Sequence, residues 1–167
     1  AAAAQHWVVT DVDFRTGAIR WQRELHTGQP PLLRHVKNSY ATETPVTDGE
    51  RLYVYFGSIG LIAALDFNGK TLWTKTIDAF NTQVELGTGA SPALYKDRLF
   101  IVNDNTKQSI LMALDKRTGK TVWKTDRSVK WNDEHVPGQM AKDGDLRKAH
   151  STPLIVTSAG KAQMLSA

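Results

Sequence analysis

One phrase occurs three times along the sequence, and its spacing constrains the fold more than any other feature. In each copy an aspartate opens a short turn that contains a glycine, and a tryptophan follows four residues after the glycine. The copies are DVDFRTGAIRW at 11–21, ALDFNGKTLW at 64–73 and ALDKRTGKTVW at 113–123. The tryptophans are 52 and 50 residues apart, so the chain consists of repeated units of about 50 residues.

A second phrase alternates with the first. A Thr-Pro or Ser-Pro pair precedes an apolar stretch and a turn in ETPVTDGERLYVYFG (43–57), ASPALYKDRLFIVND (90–104) and STPLIVTSAGKAQML (151–165). The segments RLYVYFG and RLFIVND are rich in β-branched and aromatic residues and have the length of ordinary strands. Thr-Gly and Asn-Gly in the first phrase supply a residue that tolerates the positive φ of a tight hairpin. Each unit is therefore predicted to hold about four short strands.

Four-stranded antiparallel sheets repeated at this period predict an all-β fold, a β-propeller with one sheet per blade. The approximate repeat units are 1–43, 44–90, 91–150 and an incomplete unit at 151–167, so about three blades are present. A lone sheet of this size exposes an apolar face that the next blade must cover. Packing between blades is therefore the preferred interpretation of the three tryptophans, over stacking on a ligand.

Composition and charge narrow the functional classes. The net charge of +4 is spread over single residues and short pairs, without the basic run or stripe typical of nucleic-acid binding. The sequence contains no cysteine, which excludes disulfides, thiol nucleophiles and cysteine-ligated metals within it. No apolar run approaches the ~20 residues of a membrane span, and the alanine-rich start has none of the regions of a signal peptide.

The copy at 113–123 resembles the tryptophan-docking motif of the pyrroloquinoline-quinone-like (PQQ-like) β-propeller repeat family, Ala-x-Asp-x-x-Thr-Gly-Lys-x-x-Trp. All six fixed positions are present: Ala113, Asp115, Thr118, Gly119, Lys120 and Trp123. The copy at 64–73, whose turn is one residue shorter, retains Ala64, Asp66, Gly69, Lys70 and Trp73. The copy at 11–21 retains Asp13, Thr16, Gly17 and Trp21. In this first copy Asp11 and Ala18 stand where the motif has alanine and lysine.

The resemblance covers nearly the whole chain and implies a ring of seven or eight blades. Because about three blades are present, we expect a fragment of a longer protein, or a chain of which several copies complete a ring. The family includes quinone-dependent alcohol and sugar dehydrogenases, an outer-membrane assembly lipoprotein and many exported proteins. It therefore implies a periplasmic or otherwise exported location. The expected partners are another protein or further propeller blades, with no nucleic acid and no membrane span.

Dehydrogenases of the family hold the quinone beneath adjacent cysteines, over a tryptophan floor and beside a calcium ion held by Glu, Asn and Asp. This sequence has no cysteine, and Asp13, Asp66 and Asp115 belong to the repeated phrase. We therefore expect no cofactor, and PQQ with calcium only if the chain is part of such a dehydrogenase.

The longest connection from a tryptophan to the next Thr-Pro or Ser-Pro pair runs from Trp123 to Pro153, and connections of this kind lead into the innermost strand of a blade. This loop contains Trp131, Asp133, Glu134 and His135, with His150 near its end. Such side chains are able to ligate a metal or transfer protons, and long loops are common functional sites. Their spacing matches no metal motif, so a solvated polar loop is the alternative interpretation.

The sequence thus predicts a non-catalytic, exported propeller segment that acts as a binding or assembly scaffold. A fragment of a PQQ-dependent dehydrogenase is the alternative. An enzyme that uses the 128–150 loop for carbohydrate or metal chemistry is a third interpretation.

Overall fold

The structure, a computed structural model, describes residues 3–79, 87–105, 109–126 and 150–166. Within these residues the chain forms β-strands and turns and no helix, and thus no helix that could cross a membrane. In chain order the strands are β1 (Gln5–Val12), β2 (Ile19–Gly28), β3 (Val46–Thr47), β4 (Leu52–Phe56), β5 (Leu61–Leu65), β6 (Thr71–Thr76), β7 (Ala93–Tyr95), β8 (Arg98–Asp104), β9 (Ser109–Asp115), β10 (Thr121–Asp126), β11 (Leu154–Ser158) and β12 (Lys161–Leu165).

The strands form two four-stranded sheets and two two-stranded sheets. The four-stranded sheets have the orders β3-β4-β5-β6 and β7-β8-β9-β10, and every pairing is antiparallel between neighbours in sequence. The smaller sheets pair β1 with β2 and β11 with β12. This up-and-down order is that of propeller blades, and it confirms the predicted all-β fold of four-stranded antiparallel sheets.

The repeat units contain different numbers of described strands. Unit 44–90 contains β3 to β6, and unit 91–150 contains β7 to β10. Unit 1–43 contains β1 and β2, which flank the first copy of the Asp-Gly-Trp phrase and therefore correspond to the third and fourth strands of the complete sheets. Unit 151–167 contains β11 and β12, which follow a Thr-Pro pair and correspond to the first and second strands.

The hairpin of β11 and β12 is longer than its counterparts. Leu154, directly after Pro153, pairs with Leu165, whereas Ala93, directly after Pro92, pairs with Phe100. The turn at Ala159 and Gly160, both with positive φ, therefore lies farther from the proline. The segment after this turn forms the second strand of the unit, β12, in a longer hairpin.

The apolar core consists of layers between successive sheets. Both faces of the sheet β3-β4-β5-β6 are covered, and every residue of β5 is buried. One face, with Val54, Phe56 and Leu61, packs against Trp7 and Val9 of β1. The opposite face packs against the next sheet through a cluster of Tyr53, Tyr55, Ile62, Ala64, Leu99, Ile101, Ile110, Met112 and Leu114. The sheets therefore stack side by side, as blades do.

Candidate functional site

The contacts between neighbouring repeats form the most elaborate polar and aromatic arrangement of the described chain. They occur at two ends of the sheets. The motif end carries the Asp-Gly turns and the turns between first and second strands. The loop end carries the long connections between sheets and the turn at 57–60, because antiparallel strands place alternate connections at opposite ends.

At the motif end, an aspartate closes each turn by accepting hydrogen bonds from the backbone. Asp13 Oδ1 accepts from the N–H of Arg15 and from the N–H and hydroxyl of Thr16, at 3.0, 2.9 and 2.9 Å. Asp115 Oδ1 accepts at 3.1, 2.9 and 2.8 Å from the corresponding groups of Arg117 and Thr118. The threonine hydroxyl lowers the pKa of both aspartates, which keeps each carboxylate ionised and able to accept.

The second copy reaches the same geometry with a shorter turn. Asp66 Oδ1 accepts from the N–H groups of Asn68 and Lys70, both at 2.9 Å. The glycines of the three copies, Gly17, Gly69 and Gly119, have φ values of 73°, 78° and 71°. All three turns therefore use the left-handed conformation that glycine adopts without strain.

Each of two tryptophans lies on the glycine of the following repeat. A Cβ atom on Gly69 would lie 2.7 Å from Trp21 Cε3, and one on Gly119 would lie 2.6 Å from Trp73 Cε3. Real Cβ atoms do not approach a ring carbon so closely, so glycine is required at these turns by the ring as well as by φ. The ring faces therefore pack directly on the backbone of the next repeat.

Hydrogen bonds fix the same two contacts. Trp21 Nε1 donates to the carbonyl oxygen of Phe67 at 2.9 Å, and Trp73 Nε1 donates to that of Lys116 at 3.1 Å. Arg23 Nε donates to the carbonyl oxygen of Gly69 at 2.6 Å. Because each indole both packs and donates, its position relative to the next turn is defined in distance and orientation.

The first glycine and the last tryptophan have different surroundings. Among the described residues, no atom lies within 4 Å of a Cβ placed on Gly17. Trp123 is 37% exposed, and its ring lies 6.0 Å from that of Phe100 in its own sheet. Within the described residues, the contact of tryptophan on glycine therefore occurs at two junctions.

The alanines of the motif lie under the tryptophans. Ala64 is opposite Trp73 and Ala113 is opposite Trp123 in the antiparallel register, and both alanines are fully buried. In the first copy Asp11 replaces alanine opposite Trp21 and forms an ion pair of 2.8 Å with Arg20. Thr118 Oγ1 accepts from the N–H of Lys120 at 3.4 Å, which completes the third turn.

A half-buried ion pair adds to the junction between the second and third repeats. Lys116 Nζ lies 2.7 Å from Asp48 Oδ2, which also accepts from the Tyr53 hydroxyl at 3.0 Å. The side chains of Asp48 and Lys116 are only 10% and 18% exposed. Burial opposes ionisation of Asp48, but Lys116, two backbone N–H groups and Tyr53 together hold its pKa well below the usual value.

At the loop end, the Thr-Pro and Ser-Pro pairs join successive repeats. The N–H of Thr44 donates to Ser91 Oγ at 2.8 Å, and the N–H of Ser91 donates to Thr152 Oγ1 at 3.2 Å. Each of these residues directly precedes a proline and the innermost strand. The same backbone position thus links three consecutive repeats.

A small cleft with a volume of about 20 Å³ opens at the loop end between the first and second repeat units. It is lined by Leu32, Leu33, Arg34, Ser39, Tyr40, Thr42, Gly57, Ser58, Gly87 and Thr88. The Arg34 guanidinium lies 5.5 Å from the centre of the Tyr40 ring and donates to the carbonyl oxygen of Asn38 at 2.7 Å. The mouth of the cleft is therefore cationic and aromatic.

Glu43 lies beside this cleft and is only 9% exposed. Its Oε1 accepts from the N–H of Gly57 at 3.3 Å and from the hydroxyl of Thr88. Burial raises the pKa of Glu43 despite these hydrogen bonds. The site therefore contains one acid that resists ionisation, in addition to the ionised aspartates of the motif end.

The predicted loop site at Trp131, Asp133, Glu134 and His135 lies outside the described residues. His150 is described, and a Cβ on Gly89 would lie 2.9 Å from its Nδ1. Among the described residues, no group of three or more His, Asp and Glu side chains is arranged to hold a metal ion.

The family model described as outer membrane protein assembly factor BamB matches residues 5–166. The chain belongs to this family. The match includes all twelve described strands and both junctions at which a tryptophan packs on a glycine.

Solved structures agree with this assignment. BamB from Moraxella catarrhalis is 28% identical over 89% of this chain and 38% of that chain, with a TM-score of 0.59. A europium-containing methanol dehydrogenase is 22% identical over 74% of this chain and 22% of that chain, with a TM-score of 0.51. The quinohemoprotein alcohol dehydrogenase ADHIIG from Pseudomonas putida HK5 is 18% identical over 71% and 18%, with a TM-score of 0.52.

These comparisons define the extent of the similarity. The two dehydrogenases share the fold with this chain. The chain spans little more than a third of the length of the BamB structure that it matches. No curated protein matches the sequence significantly.

Sequence reasoning missed several residues of this family member that the structure brings together. Asp48 and Lys116 are 68 positions apart, and Glu43 and Thr88 are 45 apart. The only sequence feature that they share is proximity to one of the two repeated phrases. Glu43 and Asp48 lie on either side of Pro45, and Lys116 follows Asp115. That signal does not distinguish them from the exposed polar residues around them.

Proposed function

We propose that the chain is part of an exported, non-catalytic propeller that serves as a binding scaffold in outer-membrane protein assembly. The observation that carries the proposal is the match of residues 5–166 to the family of outer membrane protein assembly factor BamB, supported by 28% identity to a BamB structure. An exported location follows from the same relationship.

The geometry supports a scaffold because the repeats are tied together at both ends of the sheets. Two indole rings, one half-buried ion pair and a series of hydrogen bonds from backbone N–H groups to hydroxyl groups fix neighbouring repeats. Interfaces of this kind hold the loops of successive repeats in fixed relative positions. A surface made of several such loops suits recognition of another protein better than chemistry on a small substrate.

The loop end offers a contact surface for a protein partner. Leu33 and Val36 are 70% and 85% exposed, and Arg34 lies between them in sequence. Arginine is enriched in protein interfaces, and exposed apolar side chains beside it are surface that a protein partner would cover. We therefore place the partner contact at residues 32–36.

The alternative of a PQQ-dependent dehydrogenase has no comparable support. The structures of dehydrogenases match at 22% and 18% identity, which indicates a common fold only. The alternative predicts that the protein reduces an artificial electron acceptor with an alcohol or sugar once PQQ and calcium are added. The scaffold predicts no dye reduction, and sustained reduction would overturn it.

A crosslinking experiment tests the partner contact directly. A photoreactive amino acid at position 33, in the intact protein in its own cell envelope, should give one discrete adduct with an outer-membrane assembly component. The matched control is position 14, because Phe14 is also an exposed apolar residue but lies at the motif end. Equal adducts from both positions, or none from position 33, would contradict the proposed surface.

A further inference from the structure

We propose that the Glu43 carboxyl is a proton-controlled latch, which holds the segment 87–91 that leads into β7 against the segment that leads into β3. The acid belongs to the connection into β3, whereas its partner Thr88 belongs to the connection into β7. The contact therefore joins two repeats at the loop end.

Thr88 is held from two sides by the preceding repeat. Its hydroxyl donates to Glu43 Oε1, and its carbonyl oxygen accepts from the Thr42 hydroxyl at 2.7 Å. Both contacts come from consecutive residues of a single segment. If the contact with the carboxyl were lost, the hydrogen bond from the Thr42 hydroxyl would be the remaining one described for Thr88.

Gly57 makes the close approach possible. A Cβ on this glycine would lie 2.6 Å from Glu43 Oε1 and still closer to the Thr88 hydroxyl, so any other residue would displace both groups. The N–H of Gly57 instead donates to Glu43 Oε1. The carboxyl therefore packs against the backbone of Gly57, in space that any other side chain at position 57 would occupy.

The second oxygen of the carboxyl explains why its protonation state matters. Glu43 Oε2 is buried and has no hydrogen-bond partner among the described residues. The hydroxyl oxygen of Tyr55 is likewise buried and has no partner among them. Burial raises the pKa of Tyr55, and two carboxyl groups, Glu43 and Asp104, raise it further through their charges. An ionised Glu43 would therefore place an unsolvated negative oxygen in a region that already contains a second carboxyl.

Protonation of Glu43 removes the negative charge from this buried oxygen, and ionisation restores it. Burial raises the pKa of Glu43 above its ordinary value of 4.5. A carboxyl with a raised pKa stabilises the folded contact at low pH, and its contribution declines as the pH rises from 4.5 through the raised pKa. Hydration of the ionised form is most direct from the adjacent cleft, which Gly57 and Thr88 line. Ionisation should therefore release the segment 87–91.

The test is a pH titration of the backbone N–H resonances of Gly57 and Thr88 by NMR in the full-length protein that contains this chain. We expect both resonances to shift with one midpoint above 4.5, and protection of the Gly57 N–H from hydrogen exchange, corrected for intrinsic rates, to be lost above that midpoint. E43Q should remove the shift and the pH dependence of protection. The control is E50Q, because Glu50 is exposed, and it should leave both unchanged.

A second variant keeps the test decisive if E43Q does not fold. The Thr88 hydroxyl is the largest influence that lowers the pKa of Glu43, so T88V should move the midpoint to a still higher pH. A midpoint at or below 4.5, a titration that persists in E43Q, or a midpoint that T88V leaves unchanged would each overturn the latch.

Discussion

The glycine of the repeated turn shows how one backbone conformation serves two purposes. Gly17 and Gly119 have nearly the same φ, 73° and 71°, but only Gly119 lies under an indole ring. The pair therefore separates the cost of a left-handed backbone from the cost of displacing the ring of the neighbouring repeat.

Gly119→Ala should destabilise the protein by about 2 to 5 kcal/mol, because it combines left-handed strain with overpacking against Trp73. Gly17→Ala should cost about 1 to 2 kcal/mol, because strain alone applies. The measurement is chemical unfolding followed by tryptophan fluorescence. Equal losses for the two variants would mean that the contact between Trp73 and Gly119 contributes nothing.

The ion pair of Asp48 and Lys116 connects the second and third repeats, and it makes the free energy of unfolding depend on pH. The hydrogen bonds to Asp48 lower its pKa in the folded state, below the ordinary value of 3.8. Stability from a lowered pKa is present above 3.8 and is lost as the pH falls toward the pKa of the folded state.

Asp48→Asn should therefore reduce stability by about 1.5 to 3 kcal/mol at neutral pH, in the range of hydrogen bonds to charged groups. It should also flatten the loss of stability below pH 4. Urea unfolding between pH 2.5 and 7 measures both effects. Asp11→Asn, which breaks the exposed pair with Arg20, is the control and should change little. An equal effect of the two substitutions would contradict the proposed contribution of the half-buried pair.

At the scale of elements, β6 and β10, the fourth strands of the two four-stranded sheets, differ in their surroundings although their sequences are similar. Residues of β6 alternate between half-buried and exposed, whereas all residues of β10 are exposed. Trp73 on β6 packs on the next turn and lies 6.3 Å from the ring of Tyr53. Trp123 on β10 contacts Phe100 of its own sheet.

Trp73→Ala should accordingly cost about 3 to 5 kcal/mol, as for a large aromatic residue removed from a packed site. Trp123→Ala should cost about 1 kcal/mol in the same chain. Thermal or urea unfolding of the two variants gives the comparison. If Trp123→Ala were as damaging as Trp73→Ala, β10 would have a packing partner in solution that the described residues do not provide.

At the scale of the whole molecule, the two outer sheets expose apolar side chains that the inner sheets bury. Val12 and Ile19 on β1 and β2, and Leu154 and Leu165 on β11 and β12, are each more than one-third exposed. The outer edges of β1 and β12 have no neighbouring strand among the described residues. Repeat arrays normally cover such surfaces with another repeat or a polar cap.

The isolated 167-residue chain should therefore self-associate. Sedimentation equilibrium is the measurement, and we expect a mean mass well above the 18.5 kDa of one chain. A monomer that unfolds cooperatively would show that three blades' worth of strands suffice by themselves.

Much of the fold could be predicted because its signals are local. The Asp-Gly turns, with Asp13, Asp66 and Asp115 as acceptors, are complete within five residues, so the sequence alone predicts their hairpins. Alternating apolar residues around those hairpins predict the strands, and their recurrence every 50 residues predicts repeated sheets. The family resemblance rests on the same short segments.

Only the tertiary structure decided which residues meet between repeats. The sequence treats Trp73 and Trp123 alike, and it gives no reason to connect Glu43 with Thr88 or Asp48 with Lys116. These contacts depend on how far one sheet rotates and shifts against the next, which the packing of the apolar layers determines. Because that geometry places residues 45 to 68 positions apart within hydrogen-bonding distance, no local pattern in the sequence specifies it.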